Sequence, residues 1–423
     1  MSQKPRGSTA LIAASVALGG FLMGFDSAVI SGVTGPLKSV FQLSASELGT
    51  VVACLTLSAT LAMAIAGPLA DRFGRKRILA VTALLFTISA IWSALATTYV
   101  GLIAARLIGG FGVGGALIIA PLYIAEIAPA EKRGRLVSFN QLNIVLGFSA
   151  AFFSNYFIEK AMPNTEPGVF NDAWRWMLAV EAVPAIIYLV ALWVVPNSPR
   201  WLAMKGRREE ARQVLAWASG EARADAALAE IDANLEVAKT ESKAGLRELL
   251  HPRMRFVMVV GLGLGFFQQI TGINAIFYYS TTIFEMAGSG REASLEQAIY
   301  VGLVNVVFTV IAMWLIDRAG RKPLLIADEV YEDQFAFLAA LETSVKATGD
   351  TEAIAAVEGA AQDLAKGGLR INGMLVLLAI MGYIAGFAIS LGPVMWAMFS
   401  EIFPARMRGI AISAAGFFNS AIS

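Results

Sequence analysis

Asp26, in the stretch GFDSAVISG at residues 24–32, is a carboxylate inside an otherwise apolar run. A charged aspartate at the centre of a bilayer costs at least about 2.5 kcal/mol unless it faces a cavity or an opposite charge. Arg106, inside a later apolar run, could supply that charge. Protonation of Asp26 would discharge the carboxylate and release Arg106, which would link proton binding to helix movement. The alternative is a permanent buried ion pair, which contributes little net stability.

The whole chain is too apolar for a soluble protein. Hydrophobic residues make up 57% of the 423 residues, charged residues make up 15%, and the mean hydropathy is +0.64. Apolar runs recur near the roughly 20 residues that a helix needs to cross a bilayer. We therefore predict an all-α integral membrane protein. The predicted spans are 10–32, 48–69, 78–97, 100–124, 136–159, 174–195, 256–284, 298–316, 372–398 and 408–423.

Residue counts exclude several kinds of chemistry. Cys54 is the single cysteine, so an intramolecular disulfide cannot form, and the lone His251 stands in a basic stretch without neighbouring metal ligands in the sequence. No predicted span pairs a nucleophile with a base, and no nucleotide-binding loop occurs, so we predict neither an enzyme nor a cofactor. The net charge of +1 does not indicate nucleic-acid binding. The first apolar run exceeds the length of a signal peptide and is predicted to be a span.

Lysine and arginine are concentrated in alternate short loops. These loops hold Lys4 and Arg6, DRFGRKR at 71–77, EKRGR at 131–135, the region from Arg200 to Arg255, and DRAGRK at 317–322. Basic loops of membrane proteins face the cytoplasm. We therefore predict a multi-pass protein of the cytoplasmic membrane with a cytoplasmic amino terminus.

Two motifs occur twice. DRFGRK returns as DRAGRK, and EIAPAEKRG at Glu126 returns as EIFPARMRG at Glu401. An arginine follows each glutamate by seven residues, at Arg133 and Arg408. Such a repeat is typical of transporters in which two bundles move around a central site. Basic loops that only set orientation are the alternative, but they do not explain the repeated glutamate.

The repeated charges could form a cytoplasmic gate. We predict that Glu126 and Glu401 pair with arginines only while the inner faces of the two bundles are closed together. The candidate arginines are Arg75, Arg133, Arg321 and Arg408. Partly exposed ion pairs contribute about 0.2 to 1 kcal/mol each, so only a network of them would bias two conformations.

Between the halves, residues 203–250 combine alternating charges and alanine with strong helix formers. We predict solvated cytoplasmic helices there, and a module that binds a soluble partner is the alternative. The predicted domains are a six-helix bundle at 1–199, a helical linker at 200–252 and a second bundle at 253–423.

Seven motifs together resemble the sugar porter family of the major facilitator superfamily. They are GFDSAVISG, the paired DRxGRK loops, RLIGGFGVGG at 106–115, PLYIAEIAPAEKRG at 121–134, PNSPRWL at 196–202, QQITGIN at 268–274 and GPVMWAMFSEIFP at 392–404. Their order and spacing cover residues 10–323 and 372–423. The resemblance implies a two-bundle fold with halves related by a pseudo-twofold axis. It also implies transport of a monosaccharide by a monomer in a lipid bilayer.

The resemblance assigns seven residues to a sugar site: Gln141, Gln268, Gln269, Asn274, Asn305, Trp396 and Asn419. Amides donate and accept hydrogen bonds, as sugar hydroxyls do, and an aromatic ring packs on the C–H face of a sugar. Hydrogen bonding between helices is the alternative role of each amide. Gly24 and Gly272 lie inside predicted spans, and we predict that both allow local unwinding beside the substrate path.

For Asp26 and Arg106 the resemblance implies proton coupling. The corresponding residues form the coupling pair in proton-coupled sugar porters, whereas members that equilibrate sugar typically have a neutral residue in place of the aspartate. We therefore predict sugar–proton symport by alternating access. A facilitative uniporter and a sugar-binding sensor that does not transport are the alternatives.

Three residues that should touch the sugar pocket depart from the family's pattern. Met23 replaces a flanking aromatic residue, Phe148 replaces a polar residue, and Ser420 stands where a tryptophan is common. The family pattern therefore does not identify the sugar.

The second half departs from the family over a longer stretch. Residues 327–370 are acidic and alanine-rich and contain no apolar run that could cross a bilayer. We predict a hydrophilic insert there, with the family's ninth span missing and the chain stopping at Ser423 within the eleventh. The second half is thus expected to be incomplete, and the helix at 372–398 is expected to leave the cytoplasmic side. Arg406 and Arg408 would then emerge on the opposite side, against the repeat.

Overall fold

The computed structural model describes residues 9–128, 133–162, 172–240, 251–316, 318, 373–403 and 408–422. In these ranges the chain forms sixteen α-helices and no strand, which confirms the all-α fold. The helices are α1 (Thr9–Val40), α2 (Ala45–Phe73), α3 (Arg75–Leu95), α4 (Tyr99–Ile127), α5 (Arg133–Ala161), α6 (Ala173–Ala179), α7 (Ala182–Val194), α8 (Pro199–Met204), α9 (Arg208–Ser219), α10 (Glu221–Thr240), α11 (Pro252–Ile270), α12 (Ile273–Met286), α13 (Arg291–Ile316), α14 (Gly373–Ile389), α15 (Leu391–Ile402) and α16 (Arg408–Ile422).

Eight segments of the described chain are long and apolar enough to cross a bilayer. Six of them are the single helices α1 to α5 and α13, while α6 with α7 and α11 with α12 each form one further segment. The spans predicted at 372–398 and 408–423 correspond to shorter helices, because α14, α15 and α16 have 17, 12 and 15 residues. A single helix needs roughly 20 residues for a full crossing.

The two ends of the helical bundle are defined by the helix connections at each end. The linker end is the end where α2 passes into α3 and where α8 lies, since Trp201 Nε1 donates to the backbone oxygen of Asp71 at 3.2 Å. The far end is the end where α1 passes into α2 and α12 into α13.

The two halves share an apolar core at the far end. This core joins Phe152 of α5 to Phe277 and Phe284 of α12. At the linker end the described residues form separate cores, one around Tyr123 in the first half and one around Phe403 in the second. Burial of apolar side chains therefore holds the halves together mainly at the far end.

Three apolar segments are interrupted near the middle. The chain breaks between Ile270 and Ile273, where Gly272 has a φ of 78°. That conformation favours glycine because a Cβ would be strained there. The predicted unwinding at Gly272 is confirmed. Similar breaks occur at Glu181, between α6 and α7, and at Ser390, between α14 and α15.

The unwinding predicted at Gly24 is wrong, because α1 is continuous through this residue. Gly24 instead lets α1 and α5 approach each other. A Cβ built on Gly24 would lie 1.9 Å from the backbone oxygen of Ile144, and one built on Gly147 would lie 2.0 Å from the backbone oxygen of Phe21. The two glycines form a reciprocal contact in which the backbones of α1 and α5 touch.

The direction of α14 and α15 differs from the sequence-based expectation. Leu377 and Ile384 belong to the far-end core, whereas Phe399 and Phe403 pack with Met254 at the linker end. The chain therefore runs from the far end to the linker end over α14 and α15, and α16 begins at the linker end. The expectation that the helix at 372–398 runs away from the linker end is wrong. Its apolar residues pack so that α16 begins at the linker end, as the repeat between the halves requires. The predicted insert at 327–370 lies outside the described residues.

The linker forms helices as predicted, over α8, α9 and α10. Ser198 caps α8 by accepting a hydrogen bond from the backbone N–H of Trp201 at 3.2 Å. Arg212 of α9 holds Asp225 of α10 through bonds of 2.6 and 3.1 Å. The hydrogen bond from Arg212 lowers the pKa of the Asp225 carboxyl below its usual value. The domain boundaries stay predictions, and residues 241–250 lie outside the described ranges.

We expect Gly147→Ala to destabilise the protein, because the added methyl group would meet backbone atoms that cannot rotate away. Overpacking typically costs about 1–3 kcal/mol. Gly263→Ala on α11 is the matched control, since a Cβ there meets nothing within 4 Å. Thermal unfolding in detergent should show a lower melting temperature for Gly147→Ala alone. Equal melting temperatures would contradict the reciprocal contact.

Candidate functional site

A cavity of about 180 Å³ lies between the two halves. Its wall combines residues of α1, α2, α4 and α5 with residues of α11 to α16. No aspartate, glutamate, lysine or arginine is among the described residues that line it. Such a wall suits an uncharged polar ligand, because a charged ligand would be desolvated there without a counter-charge.

Six of the seven residues assigned to the sugar site lie in this wall: Gln141, Gln268, Gln269, Asn274, Asn305 and Asn419. Trp396 belongs to α15, but its side chain lies outside the described part of the structure. The fold thus gathers amides from five helices around one cavity.

Four of these amides form a hydrogen-bonded network. Gln269 Nε2 donates to Asn419 Oδ1 at 3.0 Å, and Asn274 Nδ2 donates to Gln269 Oε1 at 2.7 Å. Asn419 Nδ2 donates to Gln268 Oε1 at 2.8 Å, and Gln268 Nε2 donates to the backbone oxygen of Leu391 at 3.1 Å. The amides therefore also bond helices to one another, which was the alternative role. Because an amide both donates and accepts, each could exchange an amide partner for a hydroxyl group.

The three departures from the family pattern, Met23, Phe148 and Ser420, line the cavity as predicted. The rings of Phe148 and Phe277 lie 4.8 Å apart between centroids and join α5 to α12. Ser420 Oγ lies 2.6 Å from Thr60 Oγ1, in a hydrogen bond that joins α16 to α2. This part of the wall therefore connects the two halves directly.

The predicted pair of Asp26 and Arg106 is present. Arg106 Nη1 donates to Asp26 Oδ1. Arg106 is only 2% exposed and Asp26 only 1% exposed. Within the described residues, Asp26 Oδ2 and Arg106 Nε have no hydrogen-bond partner. The pair is therefore incompletely satisfied in a region of low dielectric, where each charge depends strongly on the other.

Glycine makes room for this pair on α4. A Cβ on Gly109 would lie 2.5 Å from Ser89 Oγ and 3.0 Å from Asp26 Oδ2. Asp26 precedes Ser27, which lines the cavity. The buried pair thus lies next in sequence to a residue of the cavity wall.

Glu181 is a third buried ionisable residue that was not predicted as a site residue. It lies at the break between α6 and α7, is 3% exposed, and lies near Asp26 and Arg106. No described residue bonds its Oε1. The carboxylate within the predicted span 174–195 could have revealed it, because an acid inside a membrane requires a partner.

Three charged residues at the linker end, Asp71, Arg75 and Glu126, form a cluster with Ser198. Arg75 Nη2 lies 2.9 Å from Asp71 Oδ1 and 3.0 Å from Glu126 Oε1. Ser198 Oγ donates to Glu126 Oε2. This linker-end cluster ties α8 to α3 and α4, and the Arg75–Glu126 pair needs no residue of the second half.

The other predicted gate residues fall outside what the structure describes. Arg133, Glu401 and Arg408 lie in or next to described helices, but their side chains are not described, and Arg321 is outside the described ranges. Their pairing stays a prediction.

Comparison with known proteins shows similarity over nearly the whole chain. The family model described as "Sugar (and other) transporter" matches residues 12–423. The chain is 39% identical over 412 residues to the arabinose-proton symporter of Bacillus subtilis (strain 168), covering 97% of this chain and 83% of the relative. It is 36% identical over 424 residues to the D-xylose-proton symporter of Escherichia coli (strain K12), covering 94% and 80%.

Two solved structures show the same fold. A structure of the major facilitator superfamily proton:xylose symporter XylE bound to 6-bromo-6-deoxy-D-glucose matches with a TM-score of 0.77 and 35% identity, covering 98% of this chain and 86% of that one. The partially occluded inward open conformation of XylE from E. coli matches with a TM-score of 0.75 and 32% identity, covering 98% and 91%. The predicted two-bundle fold of the major facilitator superfamily is confirmed.

We expect Arg106→Gln to destabilise the protein strongly, because it leaves the charge of Asp26 buried without a partner. Removing one member of a buried pair typically costs about 3–5 kcal/mol. The double variant Asp26→Asn/Arg106→Gln should be more stable than Arg106→Gln, since neither charge then remains. Thermal unfolding measures both effects, with Arg212→Gln on exposed α9 as the control. Strictly additive losses would show that the two side chains do not interact.

Proposed function

Because this chain belongs to the family of sugar (and other) transporters, we propose that it carries a monosaccharide, a pentose or a hexose, across a membrane together with a proton. The observation that carries the proposal is the buried pair of Asp26 and Arg106 beside an amide-lined cavity between two bundles. The amides would bind the sugar, and the carboxylate would bind the proton. The relatives are transporters, and no enzymatic reaction is needed.

The substrate is a neutral sugar in this proposal. A phosphorylated sugar would require cationic partners, and the described lining of the cavity has none. Sugar hydroxyls would replace the bonds that Gln268, Gln269, Asn274 and Asn419 make to one another. Because the exchange conserves the number of hydrogen bonds, it costs little and lets the sugar leave again.

The proton step takes place at Asp26. When the carboxylate gains a proton, an O–H bond forms and the ionic bond from Arg106 is lost. Loss of the ion pair frees α1 from α4, and proton binding thereby favours one of two conformations.

Coupling follows from the position of α1. Ser27 and Met23 of α1 line the sugar cavity, while Asp26 faces Arg106. A change in the position of α1 therefore alters both sites. By linkage, sugar binding changes the affinity for the proton by the same factor by which the proton changes the affinity for sugar.

The linker end is the cytoplasmic side in this proposal, and the membrane is the cytoplasmic membrane. The basic residues of the described loop at 71–77 and the charged helices α8 to α10 lie at this end, as expected for cytoplasmic segments. The linker-end cluster, together with Arg133, Arg321, Glu401 and Arg408, would act as a cytoplasmic gate. Each half contributes part of the cavity wall, and a monomer is sufficient for this cycle.

We expect Gln268→Ala to weaken sugar binding by about five- to a hundredfold, because a partner of buried hydroxyls is lost at about 1–3 kcal/mol. Gln297→Ala is the control, since Gln297 bonds to Ser289 outside the cavity. Calorimetry with xylose, arabinose, glucose and galactose measures the affinities. If both variants bind like the parent protein, Gln268 only bonds helices together.

We expect Asp26→Asn to abolish accumulation of sugar against its gradient while passive exchange persists. The amide resembles the protonated carboxyl in shape but cannot titrate. Uptake and counterflow of labelled sugar in vesicles with an imposed pH gradient separate the two activities. Accumulation by the variant, or no alkalinisation when sugar is added to the parent protein, would make the protein a facilitator.

A further inference from the structure

A cluster of charged residues distant from the cavity joins the two halves at the far end. Arg291, at the start of α13, donates from Nε to Glu159 Oε1 at 2.7 Å and from Nη2 to Glu159 Oε2 at 3.2 Å. Glu159 belongs to α5, so this two-point contact crosses from the second half to the first. Arg291 Nη1 also lies 3.4 Å from Glu285 Oε1 on α12.

The same guanidinium bonds to the backbone of α1. Arg291 Nη2 donates to the oxygen of Gly32 at 2.7 Å. In an α-helix that oxygen would accept from the N–H four residues later. Residue 36 is proline, which has no N–H. Pro36 therefore leaves an acceptor on α1 that Arg291 of the other half occupies. We name Gly32, Glu159, Glu285 and Arg291 the far-end cluster.

This cluster is unlike the other charged contacts. Among the ion pairs of the described residues, the one between Arg291 and Glu159 joins the two halves. Its side chains are 28% and 25% exposed, so water screens it less than it screens the pairs on the linker helices. Bidentate bonding of a carboxylate by an arginine also fixes the relative position of the two helices.

We propose that the far-end cluster is a clamp in which Arg291 is the positioning residue that holds the far side of the cavity closed. Arg291 releases Glu159 and Gly32 when the far end opens, and it binds them again when the far end closes. Glu285 stays beside Arg291 in both conformations, because both residues belong to the second half. The clamp rests on the proposed alternation of two conformations, but its test does not require transport.

Ser31 provides a reporter of far-end closure. It lies on α1 between Ser27, which lines the cavity, and Thr34, which bonds to Thr282 of α12 at 3.0 Å. Spacings of four and three residues place all three on one helix face. Ser31 is 1% exposed and its hydroxyl bonds within its own helix, so a cysteine there removes no contact between the halves. Cys54→Ser removes the only native thiol beforehand.

The rate at which a membrane-impermeant maleimide labels Ser31→Cys in right-side-out vesicles measures opening of the far end. We expect Arg291→Ala and Glu159→Gln each to raise this rate by about three- to tenfold, as the closed population falls with the loss of charge-assisted bonds. The double variant Arg291→Ala/Glu159→Gln should be labelled no faster than Arg291→Ala, because both substitutions remove the same contact. Pro36→Ala should raise the rate less, since the backbone N–H of the new alanine would compete with Arg291 for the Gly32 oxygen.

Glu296→Gln is the matched control on α13. Glu296 accepts a hydrogen bond from Tyr300 of its own helix, so its loss should leave the labelling rate unchanged. An unchanged rate in both Arg291→Ala and Glu159→Gln overturns the clamp, and so does an equal rise in Glu296→Gln. If labelling rises as expected but Asp26→Asn still accumulates sugar, the clamp stands and proton coupling fails.

Discussion

The ion pair of Asp26 and Arg106 is the interaction on which the rest of this structure depends. Two opposite charges lie in an interior where neither can be left alone, so the helices that carry them are held together while both are ionised. Gly109 allows α4 to approach the carboxylate, and Glu181 places a further buried acidic side chain near the pair, at the break between α6 and α7. A proton is the smallest addition that can change this balance, because it removes one charge without removing an atom.

The glycine contact between α1 and α5 extends the influence of this pair. Gly24 and Gly147 bring the two backbones together, two residues before Asp26 and one residue before Phe148. Side chains between the helices would act as a flexible layer, whereas direct backbone contact transmits small displacements. The helix that carries the titratable group and the helix that carries Gln141 and Phe148 therefore touch through their backbones.

The sequence predicts residues whose type alone determines their role. The break at Gly272, the amides around the cavity and the partner of Asp26 are of this kind, since few side chains can occupy such positions in a membrane. The role of Gly24 was mistaken, because a glycine that permits unwinding and one that permits close packing look alike until the facing helix is known. Arg291 was missed for a related reason. Its partners, Glu159 and the Gly32 oxygen freed by Pro36, lie more than a hundred residues away in the sequence and meet it only in the folded chain.

The shared core at the far end has a thermal consequence. Opening that end would expose apolar surface around Phe152, Phe277 and Phe284 to water, whereas the linker end already has separate cores. Exposure of apolar surface raises the heat capacity, so the balance between the two conformations varies with temperature along a curve rather than a line. Hydrophobic association weakens on cooling. In a cold membrane the chain would therefore spend more of its time open at the far end than it does in a warm one.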